Sequence, residues 1–158
     1  MKRLALIALT IVAVVLQIGL LPALRPLGVV PNIMLVLVVL VGLEGTASAA
    51  LTMAVVTGLA VDLASGANFG LWTGTLVLAA LAAGLIHRAG IELGGPLVAI
   101  VMVTVGTLVM TLIILAGLVN VVSYWPVGSI SARLAIELVL NLLGTVALRP
   151  VVQKMVRS

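Results

Sequence analysis

Apolar run follows apolar run along this chain, parted by short links that hold most of its few charges. Eight Lys or Arg and four Asp or Glu make up 8% of the residues, while 64% are hydrophobic. A soluble domain carries roughly a quarter charged residues. The chain is therefore read as an integral membrane protein throughout, with no room left for a soluble domain. The runs have the length of membrane-crossing helices, about 20 residues for a hydrocarbon core about 30 Å thick.

The same composition narrows the chemistry. Cysteine is absent, which removes disulfides, thiolate metal sites and cysteine nucleophiles together. The single histidine, His87, stands beside Arg88 at the edge of a run, so a histidine-based metal cluster is not expected. There is no Ser/His pair, no His-Glu-x-x-His, no P-loop and no aspartate cluster suited to Mg²⁺. No catalytic residue, metal or cofactor is expected, and the chain is not read as an enzyme. The net charge of +4 fits loop charges that set topology. Four aromatic residues (Phe69, Trp72, Tyr124, Trp125) give no platform for base stacking, and nucleic acid is not an expected partner.

Six spans are predicted, at about 4–21, 31–43, 47–63, 70–86, 96–119 and 131–148 of a single 158-residue membrane domain. Lys2 and Arg3 before the first run resemble a signal peptide, but the run is long and meets Pro22, Arg25 and Pro26 without a small-x-small cleavage site. It reads as an uncleaved span. Pro31 suits the first turn of span 2, where a missing N–H costs nothing. Span 2 is short: it begins back at Leu27, or it is tilted and partly re-entrant. Tyr124 and Trp125 form the aromatic pair expected at a headgroup interface. Six crossings put both termini on one side, with Lys2, Arg3, Arg88, Arg149, Lys154 and Arg157; Arg25 and Arg133 fall on the other. The positive-inside rule makes the first side cytoplasmic, so a multi-pass membrane protein with both ends inside is expected. The tail 149–158 is read either as lying along the inner leaflet or as a frayed end. The expected architecture is all-α, a compact bundle of six antiparallel helices.

Polar side chains inside a span must face protein or a hydrated cavity. On span 6, Arg133, Glu137, Asn141 and Thr145 recur every four residues and share a face. That spacing allows an Arg133–Glu137 pair and an Asn141 bond to another helix. Two readings stand: a structural polar seam, which is favoured, and a proton or substrate path. Asp62 ends span 3, where the helix dipole disfavours a carboxylate. A partner is expected on the same side of the membrane, Arg133 or Arg25. Ala50, Ala54 and Gly58 on span 3, and Gly70 and Gly74 on span 4, have the spacing that lets helices approach closely. Gly66 is read as the turn residue between them, with Asn68 capping span 4. Gln17 and Asn32 are expected to face protein.

In Leu16-Gln17, Pro31-Asn32 and Gly58-Leu-Ala-Val-Asp62-Leu63, with Gly66 and Gly70 downstream, the chain resembles the bacterial rod-shape-determining MreD family. That family often has Asp where this chain has Asn32. The resemblance implies a non-enzymatic scaffold subunit of the machinery that builds the lateral cell wall. It also implies a single-span partner, MreC, in a wider assembly with the MreB filament, a wall glycosyltransferase and a transpeptidase, all set in membrane lipid. The fold implied is similar to the S components of energy-coupling-factor vitamin transporters, and an S component is the alternative function. Those components carry Ala-x-x-x-Ala on span 1, which is missing here: Leu9, Val12 and Gln17 follow four after Ala5, Ala8 and Ala13.

Overall fold

The computed structural model describes residues 3–20, 31–65, 69–90, 95–117 and 127–157. They form α1 (Arg3–Val15, continued by a π-helical turn, Leu16–Leu20), α2 (Ile33–Glu44), α3 (Ala47–Ser65), α4 (Leu71–Arg88), α5 (Gly95–Gly117) and α6 (Val127–Arg157). The described residues contain no strand. Helices α3 to α6 each hold a stretch long and apolar enough to cross a membrane, whereas α1 and α2 are shorter apolar helices. Arg25, Gly66, Asn68, Tyr124 and Trp125 lie outside the described residues.

Helix α2 is the axis of the bundle. Its run Met34–Gly42 is buried throughout, as a helix that is hydrophobic all round must be. Helices α1, α3, α4, α5 and α6 all pack on it. Its 12 residues extend about 18 Å, so it is short of a hydrocarbon core. The outer helices turn bulky side chains away from the bundle, among them Ile11, Leu85, Leu112 and Leu143.

Glycine sets how closely the helices approach. A Cβ on Gly58 would lie 2.5 Å from the Thr73 Cα, and one on Gly84 would lie 2.7 Å from the Ala47 Cβ. These two contacts join α3 to α4 near opposite ends. Gly42 meets Ala83 in the same way. The packing role expected of Gly70 and Gly74 is corrected: a Cβ on either meets nothing within 4 Å, and Gly70 has φ +92°. Gly70 is the turn residue before α4, in a left-handed conformation that favours glycine.

The tail reading is also corrected. Helix α6 does not stop at Arg149. It runs through Pro150 to Arg157, and the proline removes only one backbone donor within it. Val152 is fully buried and Val156 reaches the α2–α3 link at Gly45. The tail is held in helix because its apolar side chains have a surface to cover.

Candidate functional site

Two buried polar clusters and one ion-paired end hold the bundle. The first surrounds the start of α2. Asn32 caps that helix, its Oδ1 accepting the Leu35 N–H at 3.0 Å. Gln17, from the π-helical turn of α1, closes over the same residue: its Oε1 accepts the Ile33 N–H at 3.1 Å and its Nε2 donates to the Pro31 carbonyl at 3.2 Å. From α6, the Asn141 Oδ1 accepts the Asn32 N–H at 2.7 Å. The Asn141 Nδ2 donates to Thr107 Oγ1 on α5 at 3.0 Å, and Thr107 donates in turn to the Val103 carbonyl. The Asn32 Nδ2 points to the Met110 sulfur at 2.9 Å.

The chemistry follows from where this helix begins. Asn141 and Thr107 lie near the middles of α6 and α5, so α2 starts at mid-depth in the bundle, away from water. The first N–H groups of a helix have no partner within it, and leaving them bare in an apolar setting is costly. Three neutral carboxamides, from α1, α2 itself and α6, supply acceptors without burying a charge. Single-turn π segments re-aim side chains, and here Gln17 reaches backbone on both sides of Asn32.

The second cluster is built around Asp62. Its Oδ1 accepts the Trp72 N–H at 3.0 Å, and its Oδ2 accepts the Thr73 N–H at 3.1 Å and the Thr73 hydroxyl at 2.6 Å. The residue before α4, Gly70, has no side chain to cap that helix, and Asp62 does so from the helix before. The expected Asp62–Arg133 pairing is thus corrected. Asp62 is buried among α3–α4 contacts, while Arg133 is exposed on α6, which packs on α2 and α5. The dipole argument holds in reverse: the carboxylate sits on the positive end of α4. Gly58, one turn before Asp62, lets Thr73 come close enough for these bonds.

At the opposite end of the bundle, Glu44 Oε1 accepts from Arg149 Nε at 2.7 Å and from Gln153 Nε2 at 3.0 Å. His87 Nδ1 lies 2.6 Å from the Leu43 carbonyl. A carbonyl only accepts, so this nitrogen carries the proton. Both contacts secure the C-terminus of α2.

The polar face expected on α6 divides at its middle. Asn141 and Thr145 are buried, the latter bonding back to the Asn141 carbonyl. Arg133 is exposed and Glu137 half-buried, and these two do not form an ion pair. With Arg preceding Glu, the order is the less favourable one for a pair along a helix. Sequence reasoning missed Thr73, Thr107, Glu44, Arg149 and Gln153. Only the last two left a signal, a four-residue spacing on the tail.

Between α4 and α5 a groove of about 200 Å³ opens sideways, lined by Leu35, Leu78, Ala82, Met102, Val105 and Met110 among others. Every fully buried side-chain nitrogen and oxygen among the described residues has a hydrogen-bond partner. No family model, curated protein or solved structure matches the chain.

Proposed function

We propose that this chain is a non-enzymatic scaffold subunit of the bacterial cell-elongation machinery, of the MreD kind. In this reading it crosses the inner membrane six times, with both termini cytoplasmic, and binds the single-span protein MreC. The observation that carries the proposal is the use made of the buried polar residues. Gln17, Pro31, Asn32, Gly58 and Asp62, which carry the resemblance, are committed to two interhelical clusters that fix α2 and the α3–α4 hairpin. Polar groups spent in this way set a rigid shape, and a rigid apolar exterior is what a partner helix in lipid can read. A small-molecule pocket calls instead for polar groups converging on a cavity, whereas the lining of the α4–α5 groove is almost wholly aliphatic.

The test is to purify the full chain from native membranes in mild detergent and identify what accompanies it. A co-purifying single-span wall-synthesis protein is the expected result. A tightly held vitamin, or an ATP-hydrolysing transporter module, would overturn the scaffold in favour of a transporter S component.

A further inference from the structure

Helices α4 and α5 are each drawn onto α2 by a glycine contact, and not onto one another. A Cβ on Gly42 would lie 2.7 Å from the Ala83 Cβ, and one on Gly106 would lie 3.1 Å from the Leu35 Cδ1. The two outer helices touch each other only slightly, which leaves the groove of about 200 Å³ between them. Leu35 and Met110, both buried, form its floor. Half-buried Ala79, Ala82 and Met102 form its walls, and exposed Leu78, Val105 and Val109 its lips. Thr75, the hydroxyl-bearing residue of the lining, donates to carbonyls of its own helix. The groove follows α4 from Thr75 to Ala82 and α5 from Met102 to Met110, about 10 Å of each helix. Both stretches are central in their helices, and Ala82 stands about 9 Å along the axis from Arg88, the last residue of α4.

Chemistry and shape together choose the occupant. An aliphatic cavity of about 150 Å³ stays dry and accepts a hydrocarbon guest, and this lining is of the same kind and slightly roomier. A volume of about 200 Å³ drawn out along the helices has a cross-section of about 20 Å², wide enough for one hydrocarbon chain and far too narrow for a helix about 10 Å across. Left empty, the groove would deprive its floor and walls of their dispersion contacts. Lipid tails are what surrounds a spanning helix at mid-length, and the lips open sideways onto them. We propose that the groove seats one acyl chain of a membrane phospholipid, packed against Leu35 of the central helix α2. The headgroup takes no part, because the groove lies too deep for it. The inference is independent of which protein the bundle binds: it makes a lipid tail the filling of the α2–α4–α5 wedge.

The test places the full chain in phosphatidylcholine vesicles that hold a small share of the same lipid with a photoactivatable diazirine near the methyl end of one acyl chain. After illumination, the labelled residues are mapped by mass spectrometry. Ala82 and Met102 are expected to take about tenfold more label than Leu81 and Leu108, which are exposed at matching depths on the outer flanks of α4 and α5. Replacing phosphatidylcholine by phosphatidylglycerol with the same chains should leave that ratio within about threefold. Ala82→Phe fills the groove and is expected to lower the label on Met102 about tenfold, with an unfolding midpoint no lower than the parent's. Should that variant fold poorly, Val105→Phe closes the groove from its exposed lip and carries the same expectation. Equal labelling of groove and flank, or labelling that follows the headgroup, overturns the inference. So does groove labelling that falls as the chain is packed more densely in the vesicle, which would put a second copy in the acyl chain's place.

Discussion

At the scale of the residue, Asp62 shows how a carboxylate is accommodated deep in an apolar helix pair. Its two oxygens take three donors from the first turn of α4, where the N-cap residue Gly70 has no side chain of its own to supply a cap. Asp62→Ala should destabilise the fold by about 1–3 kcal/mol, from a lost cap and two bare N–H groups. The loss would be read as a lower unfolding midpoint in detergent. Asp62→Asn keeps one acceptor and should cost less. Gly58→Ala sets a methyl 2.5 Å from the Thr73 Cα, which is backbone and cannot swing aside. It should cost about 1–3 kcal/mol by the same measurement. Gly74→Ala meets nothing within 4 Å and should be neutral or slightly stabilising, by up to about 1 kcal/mol of helix propensity.

At the scale of the element, α2 is held by its ends more than by its sides. Every neighbour offers it aliphatic contacts, which would allow rotation or sliding, while the bonds from Gln17 and Asn141 fix its register. Asn141→Leu strands the Asn32 N–H within the bundle and takes a donor from Thr107 Oγ1, which keeps its own bond to the Val103 carbonyl. A cost of about 1–3 kcal/mol is expected. Gln17→Leu strands the Ile33 N–H in the same way. The two side chains serve adjacent N–H groups, so their effects should be non-additive by about 0.5 kcal/mol or more. A double-mutant cycle in thermal unfolding measures that coupling, and strict additivity would mean that the two amides act as independent caps.

At the scale of the molecule, the α6 tail closes the end of the bundle opposite Asp62. Glu44 joins α2 to Arg149 and Gln153, and Val152 and Val156 cover the α2–α3 link. A chain ending at Leu148 loses both polar contacts and the buried valine. It should be less stable by about 3–6 kcal/mol, the sum of a charged hydrogen bond and a buried side chain, and more readily cleaved by protease at the Glu44 end. A frayed tail would give a truncated form with the same unfolding midpoint and cleavage pattern as the parent.

Much of the fold was legible beforehand for a local reason: apolar length and the links between runs are written along the chain. The predicted spans 47–63 and 70–86 became Ala47–Ser65 and Leu71–Arg88. The inward polar residues Gln17, Asn32 and Asn141 stood out because each interrupts an apolar run. The partners did not stand out. In lipid both the inner and the outer face of a helix are apolar, so the pattern of hydrophobicity does not say which helix faces which. Only the tertiary structure placed α2 at the centre, set Asp62 on the first turn of α4 and not on Arg133, and gave Glu44 its partners more than a hundred residues away. Helix existence is decided by backbone bonds within a run, and helix pairing by a few polar side chains and close glycine contacts that the runs do not encode.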